Sequence, residues 1–447
     1  MTSDIKCYSY PNGELQRVQW VKPDSWQGLE FFRPEPSESA FGCFCDIYRL
    51  YLVPACPWIF GSMVLFRLPE DEDFDLPMES DSYGSFAYKL NAAAALFRSG
   101  LKIVGGRPRF KSDAVKNLYQ RLENRGCLQI ISGRLPVTTI IPVGNLAGNM
   151  TECERDASLK VNNSFFIMDR FDCATVYDTV GRPFGLCVKD GYISSPPLFH
   201  REALLVKKDG SVTVRQVKLE ELEVVICKHS FRHGGNAAFY SRPGNLKLMK
   251  KGGKKLVIAG NEVVAVSDKT LVHVPASGFV LSTEDSADIK PGDRVEYRGM
   301  EDIAFGLQVG NSLVRDGVKT ERFISRFYNI RRLERVPFPP SLYPLDYKGA
   351  RAARMALGAD EDGKPMIVWA EGAPKLGYVP GRDSCGASLS EFADICAELG
   401  MINAINIDGG GSAQILINNK RALMLSDRHE EDCSEAERAI PLGLIVR

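Results

Sequence analysis

The sequence predicts an α+β protein: a β-rich body of mixed sheets with few helices, preceded by an N-terminal α/β extension. Three observations carry this. Short apolar runs separated by glycine turns fill the chain from about residue 133 onward. One strongly periodic helix stands near the end of that stretch. No G-x-G-x-x-G opens a helix after a strand and no P-loop is present, so neither dinucleotide-binding nor P-loop architecture is expected. The division expected is residues 1–135 as an N-terminal region with no assigned role and residues 136–447 as the β-rich domain.

The N-terminal region holds an apolar stretch over 47–68, broken by Arg49, Pro54, Pro57 and Arg67. Its uninterrupted apolar piece is too short to cross a bilayer, so buried strands are expected. An acidic loop follows over 69–75, then a helix over 85–97 carrying the small-residue run 91–95. A second helix is expected over 112–124, with Asp113 in its first turn and Arg125-Gly126 as its stop.

Beyond it, strands over 183–188 and 192–194 flank Lys189-Asp190-Gly191, and strands over 201–207 and 211–217 flank Lys208-Asp209-Gly210. Both are hairpin patterns. Further strands are expected over 256–259, 263–266, 271–274, 294–297 and 313–315. A proline-rich loop at 337–344 precedes a hairpin of 352–359 and 365–370. Near the end, Ser388 and Glu391 have capping-box spacing, and Leu389, Phe392, Ala393, Cys396 and Leu399 recur at helical period before Gly400. Strands over 401–407 and 413–417 complete the list.

Composition narrows the function classes. The chain of 447 residues exceeds the usual size of one core, and Lys+Arg and Asp+Glu total 56 each. A formal charge of zero removes nucleic-acid or membrane binding driven by bulk charge. The opening residues Met1 to Lys6 lead into polar sequence without an apolar leader, and the 12 cysteines are scattered. A reducing, cytoplasmic setting is therefore expected. Only Cys43 and Cys45 lie close together, and one C-x-C is no zinc pattern; no metal site and no cofactor are expected. Cys187 and Cys396 are expected in the core. His229 and His233 have i, i+4 spacing, but Gly234-Gly235 places them in a loop rather than on a metal-binding helix. His200 lies in a polar loop.

The chemistry concentrates in Asn406-Ile407-Asp408-Gly409-Gly410-Gly411-Ser412. This run sets a carboxylate at the carboxyl end of a strand and at the mouth of a three-glycine turn. Such a turn supplies positive φ or lets a ligand approach the backbone closely. The same pattern is also that of a glycine hairpin whose Asp caps the turn.

Several segments, in order, resemble the phosphodiester glycosidase family. They are Val161-Asn162-Asn163-Ser164-Phe165-Phe166, Pro183-Phe184-Gly185 with Asp190-Gly191, and the stretch from Gly310 to Gly317. The strand Ala353-Arg354-Met355-Ala356-Leu357-Gly358, the glycine run and Glu437-Arg438-Ala439-Ile440 complete the set. Ser164, Glu371 and Ala413 depart from the family's usual residues. The resemblance implies hydrolysis of a sugar-1-phosphodiester, of N-acetylglucosamine type, at the C1–O bond. It implies a small-molecule or glycan sugar phosphate as partner.

On that reading Asp408 is the first candidate for the carboxylate acting at the sugar, and Glu371 a possible second. Arg354, Arg201 and Arg438 are candidates for the phosphate, because a guanidinium donates paired hydrogen bonds. The amides of Gly409, Gly410, Gly411 and Ser412 offer an anion nest, and Asn162 a ligand for a sugar hydroxyl. Two other readings stay open on the same residues: metal-assisted phosphodiesterase chemistry, and a carbohydrate-binding protein without turnover.

Overall fold

The structure, a computed structural model, describes residues 2–10, 14–34, 62–66, 101–104, 107–124, 128–132, 148–153, 155–167, 181–198, 201–241, 247–284, 288–321, 323, 351–374, 376–429 and 432–446. The acidic loop, the helix expected over 85–97, the proline-rich loop and His200 lie outside the described residues.

Ten strands frame the site. In chain order they are β1 (Thr2–Ser9), β2 (Leu15–Lys22), β3 (Leu29–Phe32), β4 (Leu159–Asn162), β5 (Ser312–Arg315), β6 (Arg354–Ala359), β7 (Pro365–Ala370), β8 (Asn403–Ile407), β9 (Ile415–Ile417) and β10 (Gly443–Val446). Among the described residues the α-helices are α1 (Asp113–Asn124) and α2 (Leu389–Glu398). No described helix is long and apolar enough to cross a membrane.

A seven-stranded sheet runs β1-β2-β7-β6-β8-β5 and ends on the short strand Val318–Lys319. A five-stranded sheet runs from Lys420–Arg421 through β9, β4 and β10 to β3. All pairings in both are antiparallel. The β-rich α+β class expected from the sequence is what the structure shows.

The pleat explains why β6, β7 and β8 read as continuous apolar runs. Met355, Leu357, Ile367, Trp369, Ile405 and Ile407 point into a core shared with Val161, Ile415 and Leu444 of the five-stranded sheet. Their neighbours Ala356, Met366, Val368 and Ala404 point the other way, onto Leu389, Phe392, Ala393 and Cys396 of α2. A sheet buried on both faces has no polar alternation to display. The helix is the one expected: Ser388 Oγ accepts from the Glu391 amide at 3.3 Å while Glu391 accepts from the Ser388 amide at 2.9 Å.

The expected hairpins form. Asp190 and Gly191 both take positive φ, 50° and 87°, the requirement of a two-residue type I′ connection. A second core, including Leu186, Val224, Phe231, Leu256, Phe279 and Val295, holds the smaller sheets built from residues 223–298 against their neighbours.

β1, β2 and β3 come from the stretch before residue 135, yet they pair with strands from the far end of the chain. Val18 lies opposite Ala370, and Leu29 opposite Val446. These segments complete both sheets of the β-rich body.

Candidate active site at one end of the seven-stranded sheet

Because neighbouring strands are antiparallel, β8 and β7 finish where β6, β5 and β2 begin. Met355 faces Ile407, Arg354 faces Ala370, Ser312 faces Ile405 and Val18 faces Ala370. One end of the sheet thus carries Asp408, Glu371, Arg354, Asn311 and Arg17 on five adjacent strands.

The glycine run is not a hairpin. It carries the chain out of β8 in one sheet and into β9 in the other, through a single 3-10 turn at Gly410–Ser412. Asn162, at the end of β4, clamps both ends of this crossing. Its Nδ2 donates to Asp408 O at 2.8 Å, and its Oδ1 accepts from the Gln414 amide at 2.8 Å. Asn162 therefore shapes the turn, a correction to its expected role as a sugar ligand. Its neighbour Asn163 accepts the Asp408 amide on its carbonyl at 3.0 Å. The Asn163 side chain is fully buried, and neither of its polar atoms has a partner among the described residues. Sequence reading passed over it, since adjacent asparagines give no sign of which one the strand turns into the turn.

Asp408 is 6% exposed, and its Oδ2 has no hydrogen-bond partner among the described residues. Burial lifts its carboxyl to about 7, against the opposing effects of the Arg438 charge, the Ser412 hydroxyl and the Gly409 amide. A carboxyl titrating near neutrality is suited to proton transfer.

The other expected ligands divide. The amide of Gly410 donates to Ala353 O at 2.8 Å and that of Ser412 to Gly409 O at 3.1 Å, while that of Gly409 serves Asp408 itself. Two of the four amides expected to form an anion nest, those of Gly410 and Ser412, are thus engaged in holding the turn. A Cβ on Gly409 would lie 2.5 Å from Ala353 O, and one on Gly411 would lie 2.1 Å from Arg438 Nη2 and 2.2 Å from Asp427 Oδ2. Both glycines are required by close packing.

Arg438 is likewise corrected. It is buried in an ion pair with Asp427, Nη2 to Oδ2 at 2.7 Å and Nε to the same oxygen at 3.0 Å, and its Nη1 donates to Ser412 Oγ at 3.1 Å. Asp427 escaped the sequence reading because nothing local in 425–429 marks it.

Glu371 is buried, and its Oε2 takes Arg17 Nη1 at 2.8 Å and the Ser384 hydroxyl at 3.1 Å. Its Oε1 accepts from the Met424 amide at 3.4 Å. Those partners tie three distant segments together, so the expected second catalytic carboxylate is a structural one. Arg354 is buried as an inward arginine, with Nε donating to Ala387 O at 3.0 Å.

Arg201 is also buried and lines a cleft of about 660 Å³ with Asn311, Ser312, Arg315 and Thr320. The cleft adjoins the strand of Asp408: Gly310 N donates to Asn406 O at 2.9 Å, and Asn406 N donates to Asn311 O at 2.8 Å. Asp408 does not itself line it.

His229 lies on the strand His229–Arg232 and faces Asp288, whereas the His233 ring accepts the Phe239 amide at 3.0 Å. The two histidines thus face different partners, and His229 stands on a strand rather than in the expected loop. Among the described residues no group of three or more His, Cys, Asp or Glu side chains gathers in a way that could hold a metal ion.

Residues 234–447 match the family model of phosphodiester glycosidases. This is the family that the sequence motifs resemble, and a phosphodiester-glycosidase-like protein is the class the findings support. Among curated proteins, the N-acetylglucosamine-1-phosphodiester alpha-N-acetylglucosaminidase of Mus musculus is 30% identical over 95 residues, 21% of this chain and 17% of that protein. The Homo sapiens enzyme of the same name matches at 30% over 95 residues. The match therefore spans about a sixth of the length of those relatives, 17%. Among solved structures, the zebrafish N-acetylglucosamine-1-phosphodiester alpha-N-acetylglucosaminidase catalytic domain, auto-inhibited by its pro-peptide, aligns over 100% of this chain and 82% of its own at 12% identity, with a TM-score of 0.36.

Proposed function

We propose that the protein is a hydrolase of sugar-1-phosphodiesters that breaks the C1–O bond, with Asp408 as the carboxylate acting at the sugar. The observation that carries this reading is Asp408 itself: a buried carboxyl, lifted to about 7, with one oxygen unpartnered among the described residues. It lies within residues 234–447, which match the family model of phosphodiester glycosidases.

The chemistry follows from the leaving group. Water adds to C1, the C1–O bond breaks, and a phosphate monoester departs as a stabilised anion. A strong general acid is unnecessary, so the working form of Asp408 is the carboxylate, taking the proton of the attacking water. Asn163, with an unpartnered amide among the described residues beside Asp408, is the candidate for holding a sugar hydroxyl or acetamido group. Arg201 and Arg354 are the candidates for the phosphate. The cleft lined by Arg201 has a volume of about 660 Å³, within the range of sites that enclose a small ligand.

The test is hydrolysis of methyl-phospho-N-acetylglucosamine in oxygen-18 water, with and without chelator. Label in the released sugar, resistant to chelator, supports this reading. Label in the phosphate, or activity abolished by chelator, replaces it with metal-assisted attack at phosphorus. A folded protein that binds the sugar phosphate without turnover overturns the enzymatic reading.

A further inference from the structure

A buried ion pair stands against the glycine turn that follows Asp408 and has no part in the chemistry above. Asp427 is 1% exposed and Arg438 5% exposed. Isolating two charges from water is costly, and such pairs are weak contributors to stability compared with apolar packing. The placement is fixed by the backbone around it. Ala436 N donates to Asp427 O at 3.0 Å, and Gln414 Nε2 donates to Arg438 O at 2.5 Å. Gly411 leaves the pair the space that any side chain would fill.

From this pair a chain of contacts leads to Asp408. Asp427 grips Nε and Nη2 of Arg438, which leaves Nη1 for Ser412 Oγ at 3.1 Å. The Ser412 hydroxyl, accepting from Arg438, lies in the 3-10 turn that follows Asp408, and its proton favours the Asp408 carboxylate. We propose that Asp427 and Arg438 are a positioning pair for Asp408, acting through Ser412, and that they set whether Asp408 carries its proton at working pH. The proposal rests on Asp408 being the acting carboxylate.

The described elements around Asp408 are β4, the start of β6, its own glycine turn and residues 426–429 and 432–438. Of the charged groups on these elements, Arg438 acts on Asp408 directly and Asp427 acts on Arg438. Arg354, on β6, directs Nε to Ala387 O. Lys160, on β4, directs Nζ to Cys153 O at 2.6 Å. Arg428 turns Nη1 to the carbonyls of Leu425 and Asp427, and Glu435 accepts the Leu425 amide at 3.0 Å. Glu437 is engaged with Thr151 and Arg421.

The two links have opposite signs, which makes the proposal testable. Asp427→Asn removes the counter-charge, so the whole guanidinium charge favours the Asp408 carboxylate and its midpoint falls by about one pH unit. Ser412→Ala removes a donor to the carboxylate, so the midpoint rises.

The experiment is a carboxyl carbon-13 NMR titration of the full chain labelled at aspartate, with Asp408→Asn assigning the resonance. It runs beside pH profiles of kcat and KM. Opposite shifts in the two variants, repeated in kcat with KM little changed, are the expected result. Unchanged midpoints, or shifts of the same sign, overturn the proposal. Ser412→Ala alters volume by one oxygen and decides the matter even if Asp427→Asn does not fold: an unmoved midpoint there rejects the relay. The titration needs no substrate, so absence of turnover in the wild type would reject the proposed reaction and leave this result to stand separately.

Discussion

Two carboxylates end the strands on either side of β6, which run parallel to each other, and they have opposite fates. Glu371, after β7, is buried but satisfied: an arginine, a serine and a backbone amide occupy both of its oxygens. Asp408, after β8, is equally buried, yet one oxygen lacks a partner among the described residues and its carboxyl is lifted to about 7. Burial alone therefore does not leave a carboxylate unpartnered. What distinguishes the two is whether the fold completes the hydrogen bonds of the charged form.

The largest effect is expected at Asp408. Asp408→Asn should lower kcat/KM for sugar-1-phosphodiester hydrolysis by about a thousand-fold, the scale of a lost general base, with thermal stability maintained or raised. Activity and melting temperature of the purified variant check both halves. Glu371→Ala should invert that pattern, keeping turnover within a few-fold but destabilising the fold by roughly 2–3 kcal/mol through an unpaired Arg17 and an open pocket, as urea unfolding would show. The cost is held down because Arg17 is about a third exposed.

Gly411→Ala sharpens the contrast from the other side. Its Cβ would fall 2.1 Å from Arg438 and 2.2 Å from Asp427, so overpacking of roughly 1–3 kcal/mol is expected, again read by urea unfolding. A further effect, read across pH rather than between variants at one pH, is on stability. The folded carboxyl of Asp408 is raised above its ordinary value of 3.8 to about 7. Its stabilising contribution is therefore complete below about 3.8 and lost as pH rises through about 7. In Asp408→Asn that slope should be missing from a series of urea titrations, whereas Glu371→Gln should retain it.

Local sequence was enough for α2 and for the hairpin at Asp190-Gly191, because a capping box and positive-φ turn residues act within a few residues. The location of Asp408 at a strand end was legible for the same reason. The partners were not. Nothing near Gln16 or Arg17 announces that they meet Glu371, nor does anything at Asp427 announce Arg438. The assignment of Arg438 to phosphate failed for that reason: a guanidinium in a matched segment shows the capacity to bind an anion, and only the fold shows which anion it meets. The crossing from β8 to β9 was missed as well, since a glycine turn between two strands reads the same whether they share a sheet or not.

The most direct measurement is the pH profile of kcat/KM on one sugar-1-phosphodiester for wild type, Asp408→Asn and Glu371→Gln. Activity rising with pH through a midpoint near 7, lost in Asp408→Asn and kept in Glu371→Gln, is what a base at Asp408 predicts. Turnover that survives in Asp408→Asn with the same acid limb, or that vanishes in a stably folded Glu371→Gln, would place the chemistry at the other strand end and contradict the account.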